Sequence, residues 1–576
     1  MDRTSWQEQF DGERLIPKAI RAEVPESFPR ARPGTGSGFA WVAAVVTVFL
    51  FLQLPGLTRL PAFGGDEVQY AEAAVNLLTT GRLAIPIWGS SRGFNEAFYI
   101  NVPGYPLVLS GVYKVWGLGF WQTRLPALVC ALFCLVLVMR MARLAGCEWW
   151  TAAAGASVLA VAPSFIQATR TGRPDTAAIF LALACLWVVL SSRHASEPRA
   201  RAKPVLAGVL IGMGVMMHPN VLPVALGCVI LLWLDEPRGP RVERTALFIS
   251  GAILPVVPWF LIGVSHWPAF REQFIPWASM NSVLGGNPLI ALRDEILQRY
   301  CRGYKLGPAW IVLLTVSLLL GFRHLWKQNR VVRGCLIVWL VQFVCFAFAR
   351  TKEEALLVYT EPCIAVVAAV LLQAICRQPK LQTHKLARWS VIAAVGLVLV
   401  NGLGLMVVRY WMMGTQWAAR DYAVVEQKLS ARIPPGARVL GQGTVWLAGR
   451  RHRWQLRVLT QGGWVADLLD RQWDEAAVSE FEWVVLHPDF RRPSLEPVWA
   501  AVAKHFDQVD EIDGVSGGVT QSPSLTRAPY HLLVFRRRDS AADKNYAFDG
   551  LGNPRRSEHE EATKLTTGIR PTNASP

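Results

Sequence analysis

Residues 124–143 read RLPALVCALFCLVLVMRMAR, an apolar run that closes on two arginines, Arg140 and Arg143. Coiled as a helix, such a run is long enough to cross about 30 Å of hydrocarbon. Its basic end marks the cytoplasmic side, because Lys and Arg accumulate in cytoplasmic loops. Working outward, comparable runs occur near 39–57, 149–167, 174–192, 203–218, 220–234, 245–263, 308–322, 332–349, 355–376 and 388–410, which makes eleven expected spans. Basic residues gather in every second short connection: Arg193, Arg199, Arg201 and Lys203; Arg238, Arg241 and Arg244; Arg323, Lys327, Arg330 and Arg333; Arg377, Lys380, Lys385 and Arg388. This alternation places the N-terminus in the cytoplasm and everything after residue 410 on the opposite side.

Composition agrees with a multi-pass membrane chain. Of 576 residues, 52% are hydrophobic and only 18% charged, with 24 Trp and a mean hydropathy of +0.28. The net charge of +17 would suit a nucleic acid, but its position in alternate loops assigns it to membrane orientation instead. Most of the ten cysteines lie inside apolar runs, with no CxxC pair and no histidine spacing suited to zinc, so neither a disulfide framework nor a structural zinc site is expected. Residues 1–38 are charged and Pro/Gly-bearing, and the first apolar run starts too late for a cleavable signal peptide.

The apolar piece Gly104–Trp121 would invert the parity of every later loop if it spanned. Its Tyr105, Tyr113, Lys114, Trp116 and Trp121 suit a helix lying in the membrane interface. The expected organisation is therefore a cytoplasmic segment 1–38, a helical membrane domain 39–410 with a long first external loop at 58–123, an extracytoplasmic α/β domain at 411–538 and a disordered tail at 539–576. The α/β reading rests on helical patterns at 422–433 and 498–506 and strand-like runs at 438–440, 483–486 and 531–535.

Polar residues converge on the non-cytoplasmic side. The first loop opens with GGDEVQY, residues 64–70, before an Ala-rich helical pattern. Asp66 and Glu67 read as a helix N-terminus, where carboxylates accept amide hydrogen bonds and meet the positive end of the dipole. Asp66 reads equally as a general base at a membrane surface, and the two roles are compatible. Arg173-Pro174-Asp175 begins a later span, pairing a cation and an acid at the mouth of a bundle. As an interfacial anchor and cap it needs no ligand. His218 opens the next external corner, where it can pair with Asp175, contact a phosphate or simply be satisfied locally. Arg350 and Lys352 in the last short external turn, with Tyr359 just beyond, suit either snorkelling or a phosphate anchor.

Taken in order, Asp66-Glu67 with Tyr70, the PGYPL segment (103–107), RLPAL (124–128), Pro163, Asp175 and Tyr359-Thr360-Glu361-Pro362 resemble the C-type glycosyltransferase superfamily. The likeness is to the branch holding the protein O-mannosyltransferases and the lipid A aminoarabinose transferase, over residues 39–410. That resemblance implies a GT-C-like polytopic fold and transfer of a sugar from a polyprenyl-phosphate carrier, with membrane lipids as surroundings and the acceptor undefined. It makes Asp66 the base and Asp175 with His218 part of a central cavity; the residues themselves add Glu67, Tyr70, Arg173, Arg350, Lys352 and Tyr359 as candidate substrate-binding groups. The chain departs from the pattern at Gln69 and His218, where basic residues occur in the aminoarabinose branch. Glu96 falls near a family metal-binding carboxylate, with Ala97 in place of a family lysine; Glu96 and His266 are the candidate ligands for a divalent metal. No nucleotide site and no nucleic acid are expected. A flippase of lipid-linked saccharides is the alternative, using the same charges as a pathway.

Overall fold

The computed structural model describes residues 37–89, 91–192, 199–235, 238–281, 287–303, 308–349, 352, 354–377, 384–459, 473–488, 490–491, 493–512 and 530–538. Residues 1–36 of the expected N-terminal segment 1–38, the expected tail 539–576 and Arg350 fall outside them.

Helices dominate. By length and composition, Phe120–Leu144, Arg330–Ala347 and Lys385–Thr415 are each sufficient to cross a membrane. Two further pairs qualify together but are bent, Trp149–Ala160 with Pro163–Thr169 by 73° and Arg241–Ile253 with Val257–Ser265 by 53°. The runs at 149–167 and 245–263, expected as single spans, are thus each broken. In the first, Pro163 lacks an N–H and opens the second helix, while Ala162 before it is extended at φ −67° and ψ 128°, as the proline ring requires of its predecessor. In the second, Pro255 and Pro258 flank the break. The run at 355–376 also divides, into a 3-10 turn, Glu354–Tyr359, and a helix, Glu361–Arg377. Shorter apolar helices include Gly38–Gln53, Asp175–Ser191, Pro219–Asp235 and Ala309–Leu325.

These helices share one apolar core, with Phe49, Leu135, Leu186, Leu336 and Val367 all buried. Because lipid is as apolar as leucine, membrane helices associate through close packing. Gly155 shows it: a Cβ there would lie 2.7 Å from the Cβ of Ala369.

The first loop carries two helices. Asp66–Thr80 follows the Gly64–Gly65 turn, where Gly65 takes φ 58°, a conformation that favours glycine. Gly104–Trp116 is a separate helix of 13 residues, roughly 20 Å long and too short to span. It docks through Gly104, whose missing Cβ would sit 2.3 Å from the Met216 carbonyl oxygen.

After residue 437 a five-stranded sheet forms: β1 (Arg438–Gln442), β2 (Gln455–Leu459), β3 (Trp483–Leu486), β4 (Phe506–Ile512) and β5 (Leu532–Arg537). Its order is β2-β1-β3-β5-β4. β1 runs parallel to β2 and β3, with Val439 opposite Leu456 and Trp483; β5 is antiparallel to β3 and β4. The period-two alternation of strands sends side chains to two different cores. Leu440, Val484 and Leu486 pack with Val478, Val498 and Val502. Val439, Val458, Trp483, Val485 and Val534 share a core with Phe63, Val68, Tyr105 and Phe120 of the first loop and the start of the following helix. The sheet region and the first loop are therefore packed as one body over that face.

Candidate active site

The helix Asp66–Thr80 brings two adjacent carboxylates to the polar end of the bundle and separates their fates. Glu67 is 3% exposed and forms a fork with Arg124, itself fully buried: Nε donates to Oε1 at 2.8 Å and Nη2 to Oε2 at 2.7 Å. The Gly172 amide donates to the same Oε1 at 2.6 Å. Arg124 also holds the carbonyls of Leu57 and Pro61, at 2.6 and 3.1 Å. Glu67 was expected to touch substrate; its two oxygens are instead engaged inside the protein, tying the first loop to the helix Phe120–Leu144 and to the 170–175 turn. Arg170 completes the tie by donating to the carbonyls of Leu60, Gln53 and Pro55.

Asp66, one residue earlier, faces outward with its side chain 50% exposed. Arg173 Nη1 lies 2.6 Å from Asp66 Oδ2, and the same guanidinium gives Nε to Asp175 Oδ2 at 2.8 Å. Asp175 is 1% exposed and opens the helix Asp175–Ser191, where the N-terminal dipole favours a carboxylate. Its other oxygen accepts from Tyr359 Oη at 2.9 Å. The His218 ring stands 6.1 Å from that of Tyr359, and His218 Nδ1 accepts from the Asn220 amide at 3.2 Å, so a neutral ring carries its proton on Nε2 as a donor. Asp66, Arg173, Asp175, Tyr359 and His218, five of the residues singled out in the sequence, thus form one connected cluster. It offers an accessible carboxylate beside a cation and one potential donor, His218 Nε2.

Lys352 faces another way. Its Nζ donates to Glu295 Oε2 at 3.2 Å and to the carbonyls of Phe346 and Ala347 at 3.3 and 2.6 Å. Glu295 also pairs with Arg299 at 3.2 Å. Burial is the largest influence on both partners, drawing Lys352 below the usual lysine range and raising Glu295 above the usual carboxylate range. Tyr70 is buried and meets Tyr105 edge-on at 5.7 Å. Tyr105, which the sequence offered only as part of the PGYPL motif, is fully buried, and its hydroxyl has no hydrogen-bond partner among the described residues. Glu361, from the Tyr-Thr-Glu-Pro stretch, is buried and accepts from the Ser164 hydroxyl.

Glu96 and His266 are both exposed, and the described residues hold no group of three or more His, Cys, Asp or Glu able to bind a metal ion.

The sheet reaches the same helix from the other side. Glu72, fully buried on the helix Asp66–Thr80, accepts from Trp446 Nε1 at 2.8 Å and from Arg450 Nε at 2.7 Å, with Arg450 Nη2 on its second oxygen. Tyr530 Oη accepts from the Phe63 amide at 3.1 Å. A Cβ on Gly443, just past β1, would lie 3.3 Å from the Gly65 nitrogen, so only a small residue lets the sheet close on the turn that precedes Asp66. Glu72→Gln weakens hydrogen bonds whose acceptor is charged, each worth about 1.5–3 kcal/mol. It is expected to speed amide exchange in peptides covering Trp446–Arg451 of the full chain, while peptides from Phe120–Leu144 keep their rates; unchanged exchange at Trp446–Arg451 would show that Glu72 does not hold the sheet.

Known proteins give this arrangement its setting. The profile of the dolichyl-phosphate-mannose-protein mannosyltransferase family matches residues 101–262. The structure of ArnT from Cupriavidus metallidurans bound to undecaprenyl phosphate superposes with a TM-score of 0.59 at 17% identity, over 87% of this chain and 98% of that one. The chain has the GT-C glycosyltransferase fold. ArnT in the apo state superposes at 0.55 with 16% identity, over the same shares of the two chains. The archaeal oligosaccharyltransferase AglB from Archaeoglobus fulgidus, in complex with an inhibitory peptide and a dolichol-phosphate, superposes at 0.50 with 10% identity, over 79% of this chain and 70% of that one. No curated protein sequence gives a significant match. At these identities the likeness is one of fold, and the GT-C fold is that of a multi-pass membrane protein.

Proposed function

We propose that this chain transfers a sugar from a polyprenyl-phosphate carrier to a hydroxyl-bearing acceptor, with Asp66 as general base. One observation carries the reading: on a GT-C fold, an outward-facing carboxylate at the start of a helix is bridged by Arg173 to a buried Asp175 that is itself fixed by Tyr359. In the reaction, Asp66 takes the acceptor hydroxyl proton as that oxygen attacks the anomeric carbon. The bond from anomeric carbon to phosphate oxygen breaks, its electron pair leaves with the polyprenyl phosphate, and the sugar's configuration inverts. Arg173 and the Nε2 proton of His218 are the groups assigned to the departing phosphate; Lys352 is engaged by Glu295 instead. Asp175 and Tyr359 orient Arg173, Glu67 fixes the helix that carries the base, and Tyr70 with Tyr105 forms an aromatic wall.

The membrane arrangement belongs to the same reading. Counting each bent pair once and adding Arg199–Met217 and Glu361–Arg377 to the apolar helices supports the eleven spans expected from the sequence. With an odd number of spans and a cytoplasmic N-terminus, as the basic loops suggest, the sheet and the Asp66 cluster would lie outside the cytoplasm, where no nucleotide donor is needed. Sugar and acceptor are narrowed by experiment: the purified protein is incubated with a panel of polyprenyl-phosphate-linked sugars. At least one is expected to release polyprenyl phosphate in an acceptor-dependent manner. Movement of intact donor across the bilayer with no bond broken would replace transfer by translocation.

A further inference from the structure

A cleft of about 380 Å³ opens at the amino ends of β1 and β2, where the sheet meets the 3-10 turn Pro86–Trp88 of the first loop. Arg438 at the start of β1, Gln455 and Arg457 in β2, and Arg450 and Trp454 between the strands all line it, with Glu480 as the acidic residue of the lining. Two of the three arginines have carboxylate partners: Arg438 Nε lies 3.2 Å from Glu482, and Arg450 holds Glu72. Arg457 differs, since its Nη1 donates to the Pro86 carbonyl. Burial draws its pKa below the usual arginine range, and Glu480 opposes that shift. Trp454 is 6% exposed, and its indole N–H has no hydrogen-bond partner among the described residues.

A guanidinium carries five N–H donors and no acceptor, and an indole one donor and no acceptor, so the cleft is rich in donors. The complement is a compact group made of acceptors, and planar guanidinium forks match phosphate oxygens in pairs. We propose that this cleft binds a phosphate-type oxyanion through Arg438 and Arg457. The assignment is independent of the transfer reaction. Arg450 nevertheless links the two regions, because the same side chain lines the cleft and grips Glu72 on the helix that begins at Asp66.

The full-length protein in phosphatidylcholine nanodiscs is titrated with inorganic pyrophosphate by calorimetry. A parallel sample, with phosphatidylglycerol replacing part of the lipid, is scored for retained headgroup lipid by native mass spectrometry. Gln455 is exposed, so Gln455→Glu places a negative charge in the cleft without burying one, and Arg457→Gln removes the cation that rests on the Pro86 carbonyl. Pyrophosphate is expected to bind the wild type and to bind each variant about tenfold more weakly or worse. Retention of phosphatidylglycerol alone, lost in Gln455→Glu, would identify the oxyanion as a lipid headgroup and also support the site. Equal binding by all three proteins, or no binding of either probe, would overturn it.

Discussion

Asp66→Asn is expected to lower sugar transfer by about 10²- to 10⁴-fold, the range over which general base catalysis contributes, with the protein still folded and inserted. The asparagine keeps the size and the hydrogen-bonding edge of the aspartate, but it cannot take up the acceptor's proton. Its effect on folding is small, because an ion pair with a half-exposed partner such as Asp66–Arg173 contributes about 0–1 kcal/mol. Polyprenyl phosphate release, measured beside the melting temperature of the purified protein, separates the two effects. Wild-type rates in Asp66→Asn would remove the proposed base.

The neighbouring carboxylate is expected to behave in the opposite way. Glu67→Gln leaves Arg124 fully buried and charged, with the neutral carbonyls of Leu57, Pro61 and the new glutamine as its acceptors. Removing one member of a buried pair costs about 3–5 kcal/mol. Thermal unfolding of the full chain should fall by several degrees, and any loss of transfer should follow the fraction folded. Arg124→Leu should resemble it. If Glu67→Gln unfolds like wild type yet loses activity, Glu67 contacts the substrate after all, as its position beside Asp66 first suggests.

The contrast shows what the sequence could convey. Apolar runs and the alternation of basic loops expose the helical membrane architecture because both signals are local in the chain. Asp66, Arg173, Asp175, His218 and Tyr359 were each legible as polar residues stationed where spans begin or end. Their union is a fact of packing, and it joins positions 107 and 184 residues apart. Glu67 could not be told from Asp66 without Arg124, although an arginine at the head of an apolar run is itself a sign of a hidden partner. In sequence the runs 149–167 and 245–263 read as continuous helices across Ala162-Pro163 and Pro255, since a proline is tolerated in a first helical turn and only the backbone shows that a second helix starts there.

The sheet was partly visible for similar reasons. Trp483–Leu486 and Leu532–Arg537 are apolar enough to read as strands, and the structure places them as antiparallel neighbours. Phe506–Ile512 is an edge strand whose middle is exposed and acidic, as edges often are, and it gives little periodic signal. Gln455–Leu459 alternates too briefly to stand out between its turns. Least accessible was the packing of the sheet against the first loop: the bond between Glu72 and Trp446 spans 374 residues, and no local pattern announces it.

The account rests on where Asp66 faces. A cysteine introduced as Asp66→Cys, in a chain whose ten native cysteines are replaced by serine or alanine, is challenged in intact cells with a membrane-impermeant thiol reagent. Labelling without permeabilisation is the predicted result. Labelling only after the membrane is opened would put the carboxylate on the cytoplasmic face, away from a lipid-linked donor presented outside, and would contradict the proposed reaction.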